Sequence, residues 1–230
     1  MATGHTVKAF DEELDQLRAM IAEMGGLAEH AIAESMRALV QHDVEAANRV
    51  VEDDRKIDAL EAEVERGAVQ LIALRAPMAD DLREVVAALK IAGVVERIGD
   101  YAKNIAKRAR IVEDNDDIKP LSLLPEMARI AGEMVHNVLD AFAARDAVKA
   151  AAVCERDRAV DDFYNSIFRT LLTFMMENPQ NITAATHLLF IAKNLERMGD
   201  HATNVAEMVY FAATGEHLAE REKGEDPTWG

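Results

Sequence analysis

The chain has 230 residues, half of them hydrophobic, with a single cysteine and a formal charge of −16 at neutral pH. Such a field repels nucleic acid and anionic lipid, which argues against DNA binding and favours cations or a basic patch on another protein. The one cysteine, Cys154, rules out an internal disulfide, suits a reducing compartment, and reads as packing.

From the N-terminus, Met1 to Lys8 lacks the apolar core of a signal peptide, and no run approaches the roughly 20 apolar residues of a membrane span. The expectation is a cytoplasmic chain without membrane insertion. Scarce Gly and Pro, and apolar residues at helical period, predict six helices over 7–42, 44–75, 80–112, 123–144, 146–177 and 182–214. Gly25-Gly26 predicts an irregularity in the first helix rather than a phosphate cradle. Asp43 should cap the second helix, whose apolar stripe is Val50, Ile57, Leu60, Val64, Ala68 and Leu71, flanked by Asp54 and Asp58. On the third, Glu96, Asp100 and Asn104 follow at spacings of four, with Ile91, Val94, Ile98 and Ile105 on the opposite side. Asp146 should cap the fifth helix, with the stripe Val153, Val160, Phe163, Ile167, Leu171 and Phe174 and the flanking pair Asp157 and Asp161. The sixth carries Glu196, Asp200 and Asn204, and Gly215 is a C-terminal stop. Residues 216–230 form a charged tail expected to be disordered.

The last three helices repeat the first three. Residues 96–106 (ERIGDYAKNIA) return as 196–206 (ERMGDHATNVA), with seven of eleven positions identical, every carboxylate and carboxamide among them. Asp54-Arg55-Lys56-Ile57-Asp58 aligns with Asp157-Arg158-Ala159-Val160-Asp161 at an offset of 103, while the later motif is offset by 100. The second copy is thus shorter opposite residues 75–79, and a length change belongs in a loop. The fold class is all-α, two tandem three-helix bundles, with repeats at 1–114 and 115–215.

If the second and third helices of a repeat lie side by side, Asp54, Asp58, Glu96 and Asp100 converge, and Asp157, Asp161, Glu196 and Asp200 do the same. Four close carboxylates cannot all stay ionised alone. Either they bind metal, or arginines and lysines neutralise them, or they do not converge. Recurrence of both pairs in both halves favours metal, and an all-oxygen set suits Mg²⁺, Mn²⁺, Ca²⁺ or oxidised iron more than Zn²⁺. His201 adjoins Asp200, but its counterpart is Tyr101, so it reads as a surface or packing residue. Di-iron oxidase bundles need two Glu-x-x-His motifs. Glu133-Met134-Val135-His136 is the one such spacing, and its counterpart His30-Ala31-Ile32-Ala33 lacks the pattern. With no nucleophile elbow or phosphate loop, an enzyme is disfavoured.

The two motif copies, each preceded by D-R-x-[IV]-D, resemble the PhoU family of phosphate-signalling proteins. The strings around Leu71–Pro77 and His187–Arg197 extend the likeness, which runs from about Phe10 to Gly215. The resemblance implies a metal site on each bundle, the first from Asp54, Asp58, Glu96 and Asp100, the second from Asp157, Asp161, Glu196 and Asp200. Asn104 and Asn204 are weaker ligand candidates. It further implies a dimeric negative regulator of the phosphate-starvation response, acting between the ATPase of a phosphate ABC transporter and a sensor histidine kinase. The rival readings are a metal-storage or carboxylate-bridged metalloenzyme bundle and a purely structural helical protein.

Overall fold

The computed structural model describes residues 3–112 and 122–218. Its helices are α1 (Thr3–Gln41), α2 (Val44–Arg75), α3 (Asp80–Val112), α4 (Leu124–Ala144), α5 (Ala147–Glu177) and α6 (Ile182–Thr214). Among the described residues no helix is long and apolar enough to cross a membrane. The boundary at residue 114 and most of the C-terminal tail lie outside the described residues.

The two repeats turn the same corners with the same chemistry. Asp43 accepts the backbone N–H of Ala46 at 2.8 Å, and Asp146 accepts those of Val148 and Lys149 at 3.0 and 2.9 Å. Each carboxylate satisfies donors that a helix start leaves open. The residues before them, His42 and Arg145, take left-handed φ values of 53° and 55°, which reverses the chain within one residue. Gly215 ends α6 at φ 76°, where a Cβ would be strained.

Two expectations change. The length difference is not in the loop: residues 76–79 join α2 to α3, and 178–181 join α5 to α6. Counted in the motif's frame, α5 ends earlier and α6 begins later than their counterparts, and Pro179–Asn181 forms a 3₁₀ turn in the gap. The helices shorten because Asn178 and Pro179 supply a side-chain cap and a stop together. Nor do Gly25 and Gly26 interrupt α1, which runs unbroken. A Cβ on Gly25 would lie 2.3 Å from Leu139 Cδ1, so this glycine lets α4 press against α1.

In each repeat the three helices pack on one another, and between repeats α1 meets α4 and α3 meets α6. The outer helices are α2 and α5. One continuous apolar core runs from Phe10 and Leu17 through Ile98 and Met134 to Leu188 and Val209, so the halves share an interior. The predicted stripes are buried except at Leu60, Phe163 and Phe174, which are only partly covered. Cys154 is buried, as packing requires.

Candidate functional site: paired acidic grooves

Each groove forms where α2 lies along α3, or α5 along α6. The glycine inside the repeated motif sets the approach. A Cβ on Gly99 would stand 2.8 Å from Ile57 Cδ1 and 3.6 Å from Asp54 Oδ1. One on Gly199 would stand 3.0 Å from Asp157 Oδ1 and 3.4 Å from Val160 Cγ1. With no side chain there, Asp54 and Asp157 tuck beneath the neighbouring helix and become buried, where the sequence placed them beside the stripe. Asp58 stays exposed and Asp161 half-buried, so the paired aspartates are unequal.

The same geometry gives a stability test. Gly→Ala in an exposed helix interior gains about 1 kcal/mol. Gly26→Ala and Gly132→Ala, where nothing lies within 4 Å of the new Cβ, should raise the melting temperature. Gly199→Ala should not, because the new methyl meets a buried carboxylate and a β-branched neighbour that cannot rotate away. Thermal melts of the three variants against the parent decide it.

In the first groove Asp54 and Asp100 are joined through a lysine that the sequence reading did not single out. Lys103 donates to Asp54 Oδ2 at 2.5 Å and to Asp100 Oδ1 at 3.1 Å. The Asp54 side chain is 4% exposed and that of Lys103 24%. Burial lifts the Asp54 carboxyl above its ordinary range against the pull of the Lys103 hydrogen bond, with Asp58 and Asp100 adding to the lift. Glu96 is raised by burial, then by the charges of Asp100, Glu61, Asp58 and Asp54. Lys103 is raised by its hydrogen bond to Asp54, which keeps it charged. Glu61 is a further member of this row, its Oε1 3.5 Å from where a Cβ on Gly93 would lie.

The second groove repeats the carboxylates with different company. Asp157 is buried like Asp54, Lys193 pairs with Glu196 Oε1 at 2.7 Å, and Lys193 Nζ lies 5.1 Å from the centre of the Tyr164 ring. Where α3 has Lys103, α6 has Thr203, buried with its hydroxyl donating to the Asp200 carbonyl at 2.7 Å. Asn204 is exposed and Asn104 half-buried.

A metal ion at either groove is an inference from donor chemistry: oxygen ligands only, one aspartate of each pair buried, and burial, with neighbouring carboxylates adding to it, that raises Glu96 and Asp54. These donors fit a hard cation, but among the described residues no three His, Cys, Asp or Glu side chains are gathered into a ready ligand set. Binding therefore requires rotation of carboxylates already engaged with lysine, at least in the first groove.

Position 101 and its duplicate meet. The Tyr101 hydroxyl and His201 Nε2 are 3.0 Å apart, and the two rings stack with centroids 5.4 Å apart. His201 is thus a packing residue where α3 crosses α6, and burial, reinforced by Arg97, lowers its pKa from the ordinary 6.5. His136 of the single Glu-x-x-His spacing instead faces Glu29 and Asp140 on the surface, away from either groove.

Fold and grooves together define a duplicated all-helical protein with one acidic groove per repeat. The PhoU domain model matches the chain twice, over residues 21–109 and 124–209, and the chain belongs to the PhoU family. It is 58% identical over 223 residues to the phosphate-specific transport system accessory protein PhoU homolog of Zymomonas mobilis, covering 97% of this chain and 94% of that one. The crystal structure of PhoU from Pseudomonas aeruginosa matches with a TM-score of 0.87 at 35% identity, covering 90% of this chain and 100% of that one. The phosphate transport system regulatory protein PhoU from Streptococcus pneumoniae matches with a TM-score of 0.85 at 27% identity, covering 92% and 100%.

Proposed function

We propose that this chain is a non-enzymatic, cytoplasmic regulator of phosphate transport, and that it lowers uptake and starvation-gene expression when phosphate is plentiful. The observation that carries the reading is the likeness along almost the whole chain to a protein named as an accessory of phosphate-specific transport. The acidic charge and the long amphipathic helices support action by contact, as a dimeric adaptor between the ATPase of a phosphate ABC transporter and a sensor histidine kinase.

The grooves are the chain's metal-binding element in this proposal. Asp54, Asp58, Glu96 and Asp100 would hold one ion, and Asp157, Asp161, Glu196 and Asp200 another, as Mg²⁺, Mn²⁺ or iron rather than Zn²⁺. A bound cation there neutralises crowded carboxylates and ties α2 to α3, or α5 to α6, stabilising the folded chain by mass action.

The test is capture of the tagged full chain from phosphate-replete cells, followed by quantitative identification of bound proteins. The expected result is enrichment of a phosphate transporter ATPase and a histidine kinase, weakened as salt rises past about 0.1 M, where the Debye length is about 10 Å. Neither protein enriched above an untagged control would overturn the adaptor reading.

A further inference from the structure

We infer that a cavity between α1 and α2 binds a small organic anion, its charged group against Arg49 and His30 and its apolar body among Ala31, Ala46 and Val50. The site lies apart from the regulatory and metal-binding readings above and depends on neither.

The cavity measures about 90 Å³, room for several water molecules, and every residue lining it comes from α1 or α2. Small side chains leave it open: Ala31 on one helix, Ala46 on the other. The equivalent positions of the second repeat, at the offset of 103, carry Met134 and Lys149. Met134 is buried, and Lys149 reaches from α5 to Asp140 of α4 at 2.8 Å. Arg156 of α5 also pairs with Glu133 of α4, at 3.2 Å. The counterparts of that pair, Asp53 and His30, both line the cavity, but Asp53 pairs with Lys56 on its own helix at 2.7 Å. The first repeat thus has an opening where the second has larger side chains and ion pairs from helix to helix.

Charge decides the ligand. Three carboxylates line the cavity, and each already has a cation: Arg37 for Glu34 at 2.9 Å, Lys56 for Asp53, and Lys103 for Asp54 at 2.5 Å. Arg49 and His30, one from each helix, are exposed, and among the described residues neither forms an ion pair. Both lie close enough to Glu34 for their charges to add to the Arg37 hydrogen bond that holds its carboxyl below the ordinary range. The floor is apolar, with Ala46 and Val50 buried. An arginine and an imidazole beside such a floor suit anionic oxygens carried on a short hydrocarbon body. A short-chain carboxylate has that chemistry. An inorganic anion lacks the body, and an amine meets Arg49 with like charge.

The test is titration of the full chain, isotope-labelled at its alanine and valine methyl groups and kept in chelator, with butyrate, butylamine and inorganic phosphate in turn. Nuclear magnetic resonance should show butyrate shifting the Ala31, Ala46 and Val50 methyl signals saturably. Val153, the counterpart of Val50, should stay in place. Arg49→Gln should weaken butyrate at least about tenfold, the loss of one charge-assisted hydrogen-bonded pair. Ala31→Met, which installs the second repeat's residue, should abolish the shifts at Ala46 and Val50. The exposed Arg49→Gln change keeps the test decisive even if Ala31→Met does not fold. The inference is overturned by the absence of a saturable shift with butyrate, or by unchanged affinity in Arg49→Gln. Phosphate binding as tightly as butyrate, or butylamine binding in its place, overturns it equally. All of these outcomes leave the regulatory and metal-binding readings standing, since the titration touches neither.

Discussion

Glu84→Ala should lower the melting temperature by roughly 6–12 °C while leaving a single unfolding transition. Glu84 is buried near the start of α3 and takes two guanidinium groups on Oε2. Arg18 comes from α1 at 2.8 Å, and Arg145 reaches across from the α4–α5 turn of the other repeat. Leu14, Phe142, Val209 and Ala212 wall the site, so it draws on both halves. Removing the carboxylate leaves two like charges facing each other beside apolar walls, and breaking a buried ion pair from one side costs about 3 kcal/mol. In a chain of this size each kcal/mol is worth roughly 2–4 °C. Arg145→Ala should cost only about 1 kcal/mol, because Glu84 keeps Arg18 and the lost side chain is half-exposed. Circular dichroism melts of both variants check the ordering. Two separate transitions in wild type would contradict the shared core.

The helices and the duplication were legible because both are local or periodic. Asp43, Asp146 and Gly215 announce helix ends through chemistry that acts within a few residues, and the recurring Glu, Asp and Asn mark the second copy directly. The grooves were half-legible. Spacing put the carboxylates on one face, but it did not show that Gly99 and Gly199 let Asp54 and Asp157 sink below the adjacent helix. Lys103 at three residues from Asp100 looks like an ordinary surface pair, and only the register of α2 against α3 shows that it also reaches Asp54. A signal existed in the aligned copies, where Glu61, Gly93 and Lys103 all change character in the second repeat. Tyr101 and His201 teach a related lesson. His201 does not recur and reads as a surface or packing residue; the packing alternative holds, because equivalent positions on α3 and α6 become neighbours where the repeats cross. Glu84 was invisible for the same reason: its counterpart is Ala184, and its second partner, Arg145, lies in the other repeat.

Loss of the chain from its cell should leave starvation genes and phosphate uptake as high in phosphate-rich medium as in starved cells. In the proposed adaptor role the chain acts by occupying its partners, so removing it removes the restraint altogether. The measurement is alkaline phosphatase activity and labelled phosphate uptake in a deletion strain, with the gene restored in trans. A chain ending before Glu216 should restore repression, because the matched repeats stop at residue 209 and α6 stops at Thr214. Asp157→Asn with Asp200→Asn separates two roles for the second groove. If the ion only ties α5 to α6, the variant should melt lower yet still repress wherever it remains folded. If the ion shapes the contact surface, repression should fail in a variant whose melting temperature lies well above growth temperature. A deletion strain that still represses its starvation genes, with no second copy of the gene present, would defeat the regulatory proposal. The acidic grooves would then stand as the chain's principal chemistry, and the storage reading would return with metal occupancy in the cell as its measure.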